Sequence, residues 1–235
     1  MKKLFYLPFL FMLGPCTSTD ILQAVNDVME APAALSESDV AAGLKEALVK
    51  GTGSGTATAS KLDGYFKNPR LKIPFPPEIT KVETKLRQLG MNGLVDDFIL
   101  SLNRGAEKAA TEAKPIFVDA IKSMTVKDAW GILRGEDDAA TDYLRRTTSN
   151  SLEAAFKPVI KTSLDAVDAT KYFTKIVNTY NKIPLIEKVN PNLEDYVTDK
   201  AMLGLFLLIE DEERKIRKDP IARTTELLKK VFSQQ

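Results

Sequence analysis

The chain predicts an all-α fold: a single globular domain of about eight to ten helices around a central buried helix at about 191–218. Three observations carry that expectation. Apolar residues recur at i, i+3 and i+4 along most of the sequence, strand-like alternation is nearly absent, and Ala201–Ile209 is a run of nine consecutive apolar residues closed by charges at both ends. A membrane helix needs about 20 such residues, so this run is expected to be a core helix, buried on all faces.

Residues 1–15 read as a secretory leader. Lys2 and Lys3 give a basic start and Leu4–Leu13 an almost uninterrupted apolar run, about ten residues, the length of a signal-peptide core. Cys16, the only cysteine, follows Leu13-Gly14-Pro15. Bacterial lipoproteins carry a Leu, two small residues and then the Cys that takes the lipid and becomes the mature N-terminus. Pro15 departs from that pattern, because Gly, Ala or Ser normally precedes the cut. The expectation is lipidation at Cys16 and a periplasmic, membrane-anchored lipoprotein; a secreted soluble protein cut nearby and an uncleaved N-terminus are the alternatives. Residues 16–37 are then a tether with a short helix, and 38–235 the all-helical domain.

Within that domain, Ser36 and Ser38 precede the stripe Val40, Leu44, Leu48, and Gly51 reads as a stop, which predicts a helix over about 38–50. The glycine-rich stretch 51–56 lacks the Gly-Lys-Ser/Thr ending of a phosphate loop and the third spaced glycine of a dinucleotide fingerprint. It reads as a flexible turn into a short helix at 57–63. Gly64, Pro69, Pro74, Pro76 and Pro77 make 64–77 an extended crossing, and Tyr65, Phe66, Leu71, Ile73 and Phe75 predict that it is packed down. Stripes at Ile79-Val82-Leu86-Leu89, Leu94-Phe98-Leu102-Ala106-Ala109 and Ile116-Phe117-Ala120-Ile121-Met124 give three further helices.

Thr125 and Asp128 form a capping pair for a helix to about Leu133. Asp137 and Asp138 suit the next helix N-terminus, and Pro158 is expected to kink or divide the helix that follows. Another helix spans 166–183. Asn190-Pro191 and Asp219-Pro220 each set a capping side chain before a proline fit for the first helical position, opening helices at about 191–218 and 220–232.

The charge is balanced, with 33 Lys and Arg against 32 Asp and Glu. A nucleic-acid surface requires a basic stripe, so no nucleic-acid partner is expected. There is no His and the one Cys sits at the leader, which removes the usual zinc ligands, His-based triads and Glu-x-x-His di-iron centres. No cofactor and no metal is expected; Asp137, Asp138 and Asp142 lack the spacing of an EF-hand.

The polar candidates are few. Asn103, Arg104 and Glu107 interrupt a small, apolar stretch, and an Arg there suits a bidentate clamp on a carboxylate or phosphate. Glu210 and Arg214 lie at the end of the apolar run, within a series of i, i+4 acid–base pairs that also includes Asp211 with Lys215 and Glu213 with Arg217. As surface pairs these are worth about 0.2–0.5 kcal/mol each. The sharper expectation gathers Asn103, Arg104, Glu107, Glu210 and Arg214 around one ligand pocket; the plainer one leaves them as intramolecular bridges.

Several stretches taken together, Gly43 to Leu48, Asn68-Pro69 with Ile73-Pro74-Phe75-Pro76, Leu102 to Glu107, Met124 to Ala129, Asp137 to Thr141, Tyr196 to Phe206 and Glu212 to Arg217, resemble the bacterial family known as domain of unknown function 4197. The likeness runs over about 38–232. It implies one helical domain behind a signal or lipoprotein leader, and it supplies no catalytic residues. Two functional classes follow. The first is a non-enzymatic module tethered to a membrane through lipid at Cys16 and binding a small apolar or anionic ligand or a partner. The alternative is an envelope enzyme with Glu107 or Glu210 as general acid/base and Arg104 or Arg214 stabilising an anion.

Overall fold

Capping chemistry opens the domain where the sequence places it. The computed structural model describes residues 36–182, 184, 185, 188–190, 192–223, 225, 229, 231 and 232; Cys16, the leader and the tether up to residue 35 lie outside them. Ser36 Oγ accepts the Asp39 amide at 3.1 Å while the Asp39 carboxylate accepts the Ser36 amide at 3.1 Å, a reciprocal box that satisfies two orphan donors.

Helix α1 (Glu37–Ser60) then continues straight through the glycine-rich stretch. The expected turn at 51–56 and separate helix at 57–63 are therefore corrected, and the reason is tertiary. Gly51 and Gly55 lie one turn apart on one face; a Cβ at Gly55 would stand 3.3 Å from Ile209 Cγ1 and 3.5 Å from the Leu208 backbone, and one at Gly51 would stand 3.6 Å from Glu212 Cβ. Each helical glycine costs about 1 kcal/mol against Ala, and the close approach of two helix backbones offsets it.

Residues 61–76 leave the helix and cross the domain in turns and extended chain, as the prolines require. A 3-10 turn (Pro77–Ile79) leads into α2 (Thr80–Gln88), and Gly90, at φ +78, reverses the chain into α3 (Asn92–Ala109). The 3-10 turn Ala110–Glu112 joins α3 to α4 (Ala113–Ser123) without a break. The Thr125 and Asp128 box opens α5 (Val126–Leu133). Helix α6 (Ala139–Asp165) passes through Pro158 undivided, then come α7 (Ala169–Tyr180) and α8 (Leu193–Lys218). Counting the contiguous α3 and α4 as one helix, the described residues make seven helices and no strand, slightly fewer than the eight to ten expected.

The C-terminal expectation changes most. Asp219 Oδ1 does accept the Ile221 amide at 2.9 Å, but the element it opens is a 3-10 turn, Pro220–Ala222. Arg223 beyond it is not helical, whereas the described residues Lys229, Val231 and Phe232 are, so the expected helix at 220–232 starts later than Pro220.

Helix α8 is the hub. It packs chiefly on α1 and α6, with α3 alongside. Leu205, Phe206 and Ile209 are buried, and the Phe206 ring meets Phe117 edge-on at 6.0 Å between centroids. One face stays open, however: Leu203 is 62 % exposed, so burial on all faces is corrected to burial on all but one. Gly204 is needed where it stands, since a Cβ there would fall 2.8 Å from Tyr65 Cε1. The Tyr65 ring, fully buried, donates its hydroxyl to the Ala201 carbonyl at 2.5 Å. Among the described residues no helix is long and apolar enough to cross a membrane.

Candidate functional site

The polar candidates divide into separate groups. Asn103 is completely buried on α3. Its Nδ2 donates to the carbonyls of Ile73 at 2.9 Å and Ile99 at 2.8 Å, and its Oδ1 accepts the Ile73 amide at 2.8 Å. One turn on, buried Glu107 accepts the amides of Tyr65 and Phe66, both at 3.1 Å, on Oε1. Its Oε2 takes Arg104 Nη1 at 2.5 Å, and Arg104 Nη2 reaches Asp63 Oδ1 at 2.7 Å.

These three residues therefore form one seam that fastens the irregular crossing to α3. The logic is local: once the chain leaves a helix its amides need acceptors, and a buried amide without one is costly. Asp63, at φ +66 where the crossing begins, is held below the usual carboxylate range by Lys67 and then by Arg104. Burial, reinforced by the Glu107 charge, pushes the Tyr65 hydroxyl well above its ordinary range.

Glu210 and Arg214 sit elsewhere. They pair with each other at 2.5 Å on an exposed face of α8, and Arg214 also reaches Asp211 at 3.4 Å. Asp211 in turn holds Arg70 of the crossing at 2.6 Å. Among the described residues no hydrogen bond or ion pair joins this cluster to Asn103, Arg104 or Glu107. The i, i+4 partner expected for Lys215 is replaced by Glu212, one turn back at 2.5 Å.

Glu213 and Arg217 were expected on the surface and are buried, at 7 % and 9 % exposure. Glu213 accepts the Ala140 amide at 2.9 Å and the Thr141 amide at 2.8 Å, so it caps α6 from a different helix. Asp138, expected in that role, makes no capping bond, and Asp137 pairs with Lys218. Arg217 bonds Glu213 at 2.9 Å and passes on to the Ile132 carbonyl at 2.8 Å. Nothing in the local sequence distinguishes this pair from its solvent-facing neighbours.

The feature that sequence reading missed is apolar. Between α2, the N-terminal half of α3, α7 and Phe75 lies a cleft of about 490 Å³. Phe75, Phe98 and Phe173 form a row through it, with centroids 5.0 Å and 6.4 Å apart. Val95 and Phe173 are buried at its base, whereas Met91, Leu94 and Tyr172 at the rim are 42 %, 51 % and 56 % exposed. No residue of α2 is buried, so this helix is a thin wall. A signal for the cleft did exist: α7 carries apolar residues on more faces than one neighbour can cover, with Phe173 and Val177 buried and Tyr172 outward.

Chemically, the seam is spent on the chain itself, since both Glu107 oxygens and the whole Asn103 amide are engaged, while the cleft offers hydrocarbon and aromatic surface. No curated protein and no solved structure matches the sequence. A family model described as "Protein of unknown function (DUF4197)" matches residues 34–233, which covers the helical domain from the α1 cap to the last described residue, and the chain belongs to that family.

Proposed function

We propose that this protein is a non-enzymatic binding module that holds a small apolar ligand in the α2–α3–α7 cleft. The cleft carries the proposal: about 490 Å³ of space walled by aromatic and aliphatic side chains, within the roughly 300–1,000 Å³ range of small-molecule sites. Leaving Met91, Leu94 and Tyr172 open to water forgoes about 25 cal/mol for each Å² of apolar surface left unburied, and the fold gains nothing from it. The leader adds the setting, with Cys16 lipidated and the module presented from a membrane surface in the periplasm; plain secretion is the alternative. Lipid at Cys16 would place the cleft near membrane components, a ready source of apolar ligands.

A neutral naphthylamine dye that fluoresces in apolar surroundings tests the site. The domain should brighten it saturably, and Leu94→Glu should abolish the signal without changing the melting temperature by more than a few degrees. Dye binding that survives Leu94→Glu would move the ligand away from this cleft. For the setting, Cys16→Ser should shift the protein from the detergent phase to the soluble periplasm.

A further inference from the structure

Among the described residues lining the cleft, Asp97 is the one charged side chain. It is exposed on α3, one position before Phe98. Beside the wall residue Leu86, Arg87 of α2 donates from Nε to Glu83 at 3.1 Å and pairs through Nη1 with Asp96 at 2.9 Å, and the exposed Lys85 forms no part of the wall. Lys171 and Lys175 flank Tyr172 on α7 without forming part of the wall. An anionic head group would thus meet the Asp97 carboxylate with no wall cation to offset it, whereas an ammonium would meet a carboxylate, with the ring of Tyr172 also exposed at the rim; aromatic rings attract cations that lie within about 6 Å of the centroid.

We infer that the cleft selects a cationic amphiphile, a compound with a hydrocarbon body and an amine or quaternary ammonium head. The hydrocarbon fills the row of Phe75, Phe98 and Phe173, and the head stays at the rim beside Asp97. This rests on the reading of the cleft as a ligand site, and it reverses the anionic preference that Arg104 suggested in the sequence, because Arg104 is occupied by Glu107 and Asp63.

Three probes of one chain length, decyltrimethylammonium, decanol and decanoate, each below its aggregation concentration, are made to displace the naphthylamine dye from the full chain. Decyltrimethylammonium should displace it at about one-fifth the concentration that decanol needs, equivalent to about 1 kcal/mol, and decanoate should be the weakest. Asp97→Asn should erase the advantage of the cation and leave decanol unchanged. Equal displacement by all three probes, or a cation advantage that survives Asp97→Asn, overturns the charge selection while leaving the cleft a binding site. Failure of dye and decanol to bind the wild-type chain overturns the cleft reading and the selection with it.

Discussion

Helix α3 carries two opposite solutions on one rod. In its C-terminal half Asn103, Arg104 and Glu107 find partners in the crossing at 61–76, at Ile73, Asp63 and Tyr65 respectively; in its N-terminal half Leu94 and Phe98 face a cleft that no other part of the described chain fills. The contrast separates residues that the fold itself uses from residues it leaves uncovered. Polar residues buried in a helical wall are consumed where an irregular segment must be pinned, since its backbone donors and acceptors have no helix to satisfy them. The uncovered hydrocarbon of the cleft has no such partner within the described chain, and the proposal of a ligand site rests on it.

The largest expected effects lie on the pinned side. Glu107→Ala would strand the amides of Tyr65 and Phe66 and leave Arg104 with Asp63 alone, and Glu213→Ala would strand those of Ala140 and Thr141 and leave the buried Arg217 charge with only the Ile132 carbonyl. Breaking a buried pair in this way costs about 3–5 kcal/mol, a large part of the stability of an ordinary domain. Urea unfolding should show that loss for both variants; a loss under about 1 kcal/mol at Glu107 would return its carboxylate to the list of groups free to do chemistry.

Arg104→Ala should cost less, about 1–3 kcal/mol, because a third of the Arg104 side chain is open to water and Glu107 keeps its two amide donors. The same urea titration measures it. No change in stability would place Arg104 outside the structural seam and restore it as an anion clamp.

Alkaline pH should loosen the same region. The Tyr65 hydroxyl is raised by burial and Tyr196 is pushed up to about 12, again chiefly by burial. In the unfolded chain both ionise near pH 10, while the folded chain keeps its protons. Their contribution is therefore intact below about pH 10 and is lost as pH rises above that value toward the folded pKa. Unfolding free energy measured between pH 8 and 11 should begin to fall near pH 10, and Tyr65→Phe should flatten that fall. A stability that is level to pH 11 contradicts the buried hydroxyl.

Smallest of all is Arg214→Ala. The pairs of Arg214 with Glu210 and Asp211 are solvent-exposed and worth about 0–1 kcal/mol, so the melting temperature should barely move. A drop comparable to that of Glu213→Ala would mean that the exposed cluster is part of the scaffold after all.

Much of this architecture is legible in the sequence because its signals are local. The Ser36 and Thr125 boxes and the proline-marked crossing are each determined within a few residues of the position they govern. What escapes is set by distant partners. Gly51 and Gly55 read as breakers until Ile209 and Glu212 supply the close contact that holds them helical. Glu213 looks like any surface acid until the start of α6 arrives to be capped. The cleft escapes for a further reason: periodicity marks Leu94, Phe98 and Phe173 as apolar-facing, but it does not say whether the neighbour that covers them is part of the same chain. Asn103, Arg104 and Glu107 were legible as a group that stands out, and their role as a fastening for the crossing follows only from the Ile73, Tyr65 and Phe66 amides.

The proposed division of α3 into a fastening half and a binding half is tested most directly by native mass spectrometry of the protein extracted from the cells that make it, comparing wild type with Leu94→Glu and Arg104→Ala. The account predicts a co-purifying apolar molecule on the wild type, its loss from Leu94→Glu with the fold intact, and its retention by the folded fraction of Arg104→Ala. Loss of the molecule from Arg104→Ala with full retention by Leu94→Glu would contradict it, moving the site from the cleft to the polar seam.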